Sequence, residues 1–303
     1  MAAGGRSYTA GRFAIGVDGN FCGFVKKVSG GQAKSEVIVE NLGPTNLQKK
    51  HIGKPKYEPI TMEIGMGMSK HIYEWIRSYF DDAHVVKGGE IHACDFDGKS
   101  MALRQFTDAH IVEVGIPACD ASSKEAAYMT VKMDPEKVTY GKGTGAKLDG
   151  KIGSAQKVWG QSNFVFTLGD LECKRTKKID AFTLKMGLAK EAVGEFREET
   201  KHPAKLERPN LKVTLSQADI EPWFNWYRSF VIEGNCSEAD ELTGAITWYS
   251  PNKKDELLTV ELKNVGIFNL EQEAVEANKE QTAGFVVELY VEDMNLIFKK
   301  TDA

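Results

Sequence analysis

Residues 75–80 read WIRSYF and residues 226–231 read WYRSFV, the same Trp-x-Arg-Ser-aromatic phrase 151 positions apart in a chain of 303. Laying the chain over itself at that offset gives 13 identities in the 68 positions from 13 to 80, without a gap. They include Phe13/Phe164, Cys22/Cys173, Lys26/Lys177, Glu40/Glu191, Lys50/Lys201, His51/His202, Lys54/Lys205, Trp75/Trp226 and Arg77/Arg228. Chance would supply about four. Conservative pairs agree, among them Val17/Leu168, Ile60/Leu211, Met62/Val213 and Ile64/Leu215. One offset that survives through strand, loop and helix reads as an internal duplication, so whatever fold one half adopts the other must share.

Beyond residue 80 the offset grows by about six. AAYMTVKM (126–133) then lies over AGFVVELY (283–290), and FTDAHI (106–111) over LKNVGI (262–267). The extra residues fit GNCSEADELTG (234–244), a polar loop. A chain of this length is at the size where one core stops growing, which gives two domains. The boundaries expected are 1–140 and 159–303, joined by a glycine-rich flexible connector at 141–158 that opens GKGTGAKLDG.

FAIGV, FVFTL, ITMEI and LKVTL all alternate with period two, the signal of half-buried strands. Each copy reads strand, turn, strand, long loop, strand, helix and about three more strands. The long loops are 41–59, rich in Gly, Pro and Lys, and its counterpart 192–210. Ser69 is the expected N-cap of the first helix. Ile72, Trp75, Ile76, Tyr79 and Phe80 form one helical stripe, and Trp223, Trp226, Tyr227, Phe230 and Val231 form its repeat. The expectation is a mainly β (α+β) chain: two tandem β-barrel or sandwich domains, each with one packed helix, related by a pseudo-twofold repeat.

Chemistry is sparse. A net charge of −4 gives no footing for nucleic-acid binding, although the halves differ: 19 Lys+Arg against 18 Asp+Glu in 1–150, and 20 against 25 in 151–303. Five scattered cysteines, without a CxxC pair, indicate reduced thiols made in a cytoplasm. No apolar run approaches the roughly 18 residues that span a bilayer. The start, MAAGGRSYTAGR, lacks the apolar centre of a signal peptide. His92 and Cys94 share a strand face but lack a second metal-ligand pair. GKGTGAK lacks the Ser/Thr that ends a phosphate-binding loop. No catalytic, cofactor or metal constellation assembles, and the reading is a non-enzyme. Cys22 and Cys173 are expected to be buried small hydrophobes.

Several features of the first copy occur in a fixed order: Asp18-Gly19, Gly23-Phe24, Val28-Ser29-Gly30, then Pro55-x-Tyr57-x-x-Ile60-Thr61-x-x-x-Gly65 and a helix with Trp75. Across roughly residues 10–135 this resembles the tail-tube protein family of contractile phages and phage-like injection systems, which is akin in fold to the haemolysin-coregulated protein of type VI secretion. The second copy departs from the pattern, with Asp180-Ala181 in place of Ser29-Gly30 and Arg208 in place of Tyr57, and joins it through the internal alignment.

The resemblance implies hexameric rings stacked into a hollow tube, with hairpins of neighbouring subunits closing one barrel. The long loops would touch the next ring, with Lys50, His51, Lys54, Lys201, His202 and Lys205 as ring-stacking candidates. Duplication permits a trimer with pseudo-sixfold symmetry in place of a hexamer. The leading expectation is a structural subunit of the inner tube, with a tube-initiating adaptor ring at the tube–spike junction as alternative. Partners would be copies of the chain, neighbouring rings, sheath and baseplate or spike-hub proteins, with DNA or protein as transient cargo and no membrane. Synthesis would be in a bacterial cytoplasm and assembly in a virion tail or injection particle. A competing reading is a soluble β-rich carbohydrate- or protein-binding module, with Trp223, Trp248 and Tyr249 forming a concave aromatic cluster.

Overall fold

The computed structural model describes residues 11–43, 47–81, 83–148, 159–194, 198–273 and 284–299. The alternating segments of the first half form β1 (Arg12–Val17), β2 (Asn20–Val25), β3 (Lys27–Gly30), β4 (Ala33–Asn41), β5 (Gln48–Tyr57) and β6 (Ile60–Ile64). Helix α1 (Lys70–Ser78) follows, then β7 (Lys87–Cys94), β8 (Ser100–Ile116), β9 (Cys119–Asp120) and β10 (Met129–Lys142). The second half gives β11 (Phe164–Leu168), β12 (Thr176–Ile179), β13 (Phe182–Glu191), β14 (Thr200–Glu207) and β15 (Leu211–Ser216). Helix α2 (Ile220–Tyr227) continues into a π-helical turn at Arg228–Ile232 and precedes β16 (Leu242–Tyr249), β17 (Glu256–Gln272) and β18 (Gly284–Phe298).

The two sheets repeat one topology. The first runs β1-β7-β8-β10-β6-β3 and the second β11-β16-β17-β18-β15-β12, every neighbour antiparallel. β2 adds to the outside of β1 only in the first half. The likeness extends to irregularities. β8 bulges between Ile111 and Glu113 against β10, and β17 bulges between Ile267 and Asn269 against β18. Asp108 and Asn264 both take left-handed torsions, at φ 49° and 51°, a conformation these two residue types tolerate best. Gly89 and Gly244 sit where a Cβ would meet backbone oxygen at 2.3 Å (Gly16) and 2.2 Å (Thr167), so a side chain is excluded at the same point of both sheets.

These landmarks correct one alignment. Thr130 pairs with Gly115 and Val286 with Glu271, which makes the offset of β10 over β18 equal to 156, as it is for β8 over β17. The expected match of 126–133 with 283–290 is therefore one residue out. With a side-chain period of two, that slip would turn Met129, Val131 and Met133 away from the core in which all three are buried.

Both helices lie against their sheets. Ile72, Trp75, Ile76 and Tyr79 of the first, with Trp223 and Phe230 of the second, are buried as expected, while Trp226 and Tyr227 pack partly buried against the core. Val231 breaks the stripe at 41% exposed, where the π-turn rotates it outward. Burying a tryptophan at each helix supplies a contact area of the size that dominates core energetics. Trp75 donates to the Val85 carbonyl at 2.8 Å and Trp223 to the Glu172 carbonyl at 3.0 Å, which satisfies both indole N–H groups. Ser69 occupies the cap position of the first helix, but its side chain makes no cap hydrogen bond. Cys22 and Cys173 are buried, and desolvation raises both thiols, the second to about 11.

Two expectations about loops change. Within the expected loop 41–59, Gln48–Tyr57 form β5, which pairs with β4 to make a two-stranded arm. The counterpart segment holds β14, paired with β13. The connector is also tied down at its start, since β10 runs to Lys142, Gly143 N–H donates to the Met101 carbonyl and Leu148 N–H to the Gly98 carbonyl. Its remainder, 149–158, lies outside the described residues.

Candidate assembly surface

The sheets leave strand edges at their ends. A strand edge carries unpaired N–H and C=O groups that must meet a partner or water. This chain satisfies one pair of edges by crossing its own halves. β13, from the second half, pairs with the end of β8, from the first, with Phe182 opposite Ile116, Leu184 opposite Val114 and Lys185 opposite Glu113. In return β9, from the first half, pairs with the outer edge of β12 through Lys178–Asp120 and Ile179–Cys119. Tyr73 of α1 stacks on Phe298 of β18 with ring centroids 4.4 Å apart, which adds an aromatic contact across the same junction.

A buried ion pair locks the second arm down. Lys201 Nζ lies 2.6 Å from Asp134 Oδ1 and 2.6 Å from the Pro135 carbonyl, and Lys201 N–H donates to Glu136 Oε1 at 2.7 Å. Both Lys201 and Asp134 are 6% exposed. The ring-stacking candidate Lys201 is thus buried inside the chain, unlike its exposed repeat partner Lys50. Carboxylates 65 to 67 residues away in sequence bury it. Beside the pair, the Tyr79 hydroxyl lies 3.0 Å from His110 Nδ1. Burial lowers the histidine below its usual value and raises the phenol to about 12.

The corresponding arm of the first half, β4 with β5, stands in a sheet of its own. Every residue of β4 is exposed, and Val37, Ile38, Val39 and Ile52 face solvent at 46–70% exposure. Gly30 and Gly31 at its root have φ 85° and 80°, whereas their repeats at the root of the second arm, Ala181 and Phe182, are not left-handed. Glycine takes such torsions most freely, so the chain enters this arm through a backbone conformation that its repeat does not adopt.

The remaining candidates fall at the arms. His51 faces Glu40 and His202 faces Glu191, each pair 3.6 Å apart and exposed, a repeated contact across the hairpins. Lys50 and Lys205 are exposed on β5 and β14, as is Lys54. The aromatic-cluster idea fails on geometry, because Trp223 and Trp248 are fully buried. His92 Nδ1 lies 2.9 Å from the Ser100 hydroxyl and Nε2 lies 3.2 Å from Glu90, and no group of three His, Cys, Asp or Glu suited to a metal occurs among the described residues. No helix among the described residues is long and apolar enough to cross a membrane.

Residues 9–139 match the model of the family described as T4-like virus tail tube protein gp19. The first half is a contractile-tail tube family domain. The second half carries the same strand order at 151 to 156 residues' distance. Among solved structures, the chain is similar to a protein of the sheath–tube complex of an extracellular contractile injection system, PVC, at 20% identity over 45% of this chain and 92% of that one, with a TM-score of 0.40. It is similar to the tube-terminating cap of the anti-feeding prophage at 20% identity over 47% and 95%, TM-score 0.40. A baseplate protein of the anti-feeding prophage follows at 11% identity over 45% and 91%, TM-score 0.34. Comparison with curated proteins gives no match.

Proposed function

We propose that this chain is a non-enzymatic structural subunit that assembles, through its strand edges, into a ring of a contractile phage tail or phage-like injection particle. The observation that carries the reading is the crossed pairing of β13 on β8 and β9 on β12. Each half completes the other's sheet edge, which is how one ring neighbour would complete the next. Two domains, 1–140 and 159–303, would lie side by side in one ring around a channel. The outer ends of the arms, with His51, Lys54, His202 and Lys205, would meet adjacent rings, sheath or baseplate. The particle would be assembled from chains made in a bacterial cytoplasm.

A second reading, an adaptor ring at the end of the tube, is favoured by the inequality of the halves. One arm is docked and one stands free, and the halves carry charges of +1 (19 minus 18) and −5 (20 minus 25). Alternating unlike domains suits a junction between sixfold and threefold parts. Negative-stain electron microscopy of the purified protein tests both readings: rings or short tubes are expected, and monodisperse single chains at every concentration and salt would overturn them.

A further inference from the structure

Because the halves repeat, the junction inside the chain specifies a second junction that the chain cannot make with itself. We infer that the free β4–β5 arm docks on the exposed end of β17 in another copy of the chain, in the register of β13 on β8, so that the halves must alternate around the ring. This inference rests on the ring-forming function proposed above.

The register follows from the two offsets. Phe182–Lys185 of the docked arm corresponds to residues 31–34 of the free one, at 151. Residues 113–116 of β8 correspond to 269–272 of β17, at 156, a value fixed by the shared bulge and by the Asp108/Asn264 torsion. The pairs Phe182–Ile116, Leu184–Val114 and Lys185–Glu113 therefore translate into Gly31–Gln272, Ala33–Leu270 and Lys34–Asn269. The landing edge is open: β16 ends its pairing with β17 at Val265, and beyond that point β17 is paired only with β18 among the described residues. The donor is open over β4 itself, which pairs with β5 alone, while Gly31 at its root already donates to the Glu58 carbonyl and accepts from the Tyr140 hydroxyl. The edge of β3, last in its sheet, is the further counterpart of the β12 edge that β9 covers.

Charge supports the same partner. Residues 33–57 hold five lysines against Glu36 and Glu40. Residues 269–273 and 284–299 hold Glu271, Glu273, Glu288, Glu292 and Asp293 against Lys299. Lys50 repeats Lys201, and the groups that hold Lys201, Asp134 to Glu136, map onto Tyr290 to Glu292. There the Tyr290 hydroxyl donates to Glu241 Oε1 at 2.7 Å, while Glu241 Oε2 is buried without a hydrogen-bond partner among the described residues. An incoming ammonium would supply one. An isolated two-stranded hairpin with exposed Val37, Ile38 and Ile52 is marginal in water, and docking would give it a third strand.

Alternation follows from occupancy. The β8 edge is filled by the chain's own β13, so a neighbour's arm finds only β17. Each chain offers one arm and one edge, a heterologous contact that closes into a ring. A pseudo-sixfold ring then holds three chains, and first domains cannot form a six-chain ring through this seam with second domains outside it.

The test mixes two single variants in a Cys236→Ser background, Lys34→Cys in one population and Asn269→Cys in the other. Directly opposed strand residues lie about 4.5–5.5 Å apart at Cα, within disulfide reach. After assembly and mild oxidation, the mixture is expected to shift from one-chain to two-chain mass on non-reducing gels while each variant alone does not. Hydrogen exchange on the unmodified protein provides a readout free of substitutions, with amides 31–34 and 269–272 expected to slow on assembly. Native mass spectrometry is expected to count three chains per ring. Rings that show neither cross-link nor protection overturn the seam and leave the ring function standing. Six chains per ring overturn alternation. Absence of any ring overturns the function and the seam together.

Discussion

The ammonium of Lys201 lies 2.6 Å from the carboxylate of Asp134, and both are buried where the second half of the chain rests on the first. A desolvated pair of this kind contributes little net stability when intact, but removing one partner strands the other charge. Replacing Lys201 with Met is expected to destabilise the protein by about 3 kcal/mol, and Lys201→Met with Asp134→Leu should recover most of that loss. Urea unfolding of the two single variants and the double variant checks this. A double-variant loss equal to the sum of the two single losses would mean the pair is not coupled.

Gly89 and Gly244 predict parallel behaviour. Alanine at either would push a methyl group against the Gly16 or Thr167 carbonyl. Each substitution should cost about 1–3 kcal/mol, the usual range for forced overpacking. Thermal melts of both variants provide the comparison, and tolerance at one site with collapse at the other would break the structural repeat at that point.

Acid should weaken the junction through His110. Its neutral ring is held below its ordinary value by burial, beside Tyr79, Lys201, Asp134 and His202. The unfolded chain then binds the proton more readily than the folded one. The stability this group contributes is therefore complete above about pH 6.5 and is lost as pH falls through the lowered folded value. Unfolding midpoints measured from pH 7.5 to 5 should drop less steeply in His110→Gln than in the natural chain. An unchanged slope would remove His110 from the account.

Separating the halves should expose what they hide from one another. A fragment ending at residue 148 bares the β8 edge, and one starting at 159 leaves β13 without its landing strand. Each alone is expected to aggregate or self-associate, while co-expression should restore a soluble pair. Two well-behaved monomers on size-exclusion chromatography would show that the shared edges matter little.

Much of this architecture was legible in the residues. The repeated Trp-x-Arg-Ser phrase, the alternation in ITMEI and LKVTL, and the helical stripes at 72–80 and 223–230 led to duplicated sheets with one helix each. The β5 strand was not legible, because QKKHIGKPKY is rich in the charged residues and Pro that mark an edge strand as readily as a loop. The β10–β18 alignment slipped by one because both strands carry closely spaced apolar residues, and only the buried face chooses between two registers. The burial of Lys201 was not legible because nothing local to KHPAK announces Asp134 and Glu136.

By itself the sequence determined the repeating unit, since side-chain periodicity and glycine or asparagine torsions are local properties that any copy of the segment must express. The tertiary structure alone decided which edges are satisfied within the chain and which stand open. Backbone N–H and C=O groups are chemically the same on every strand, so the choice of partner depends on where the glycine pair at 30–31 and the buried Lys201 place two otherwise equivalent arms in space.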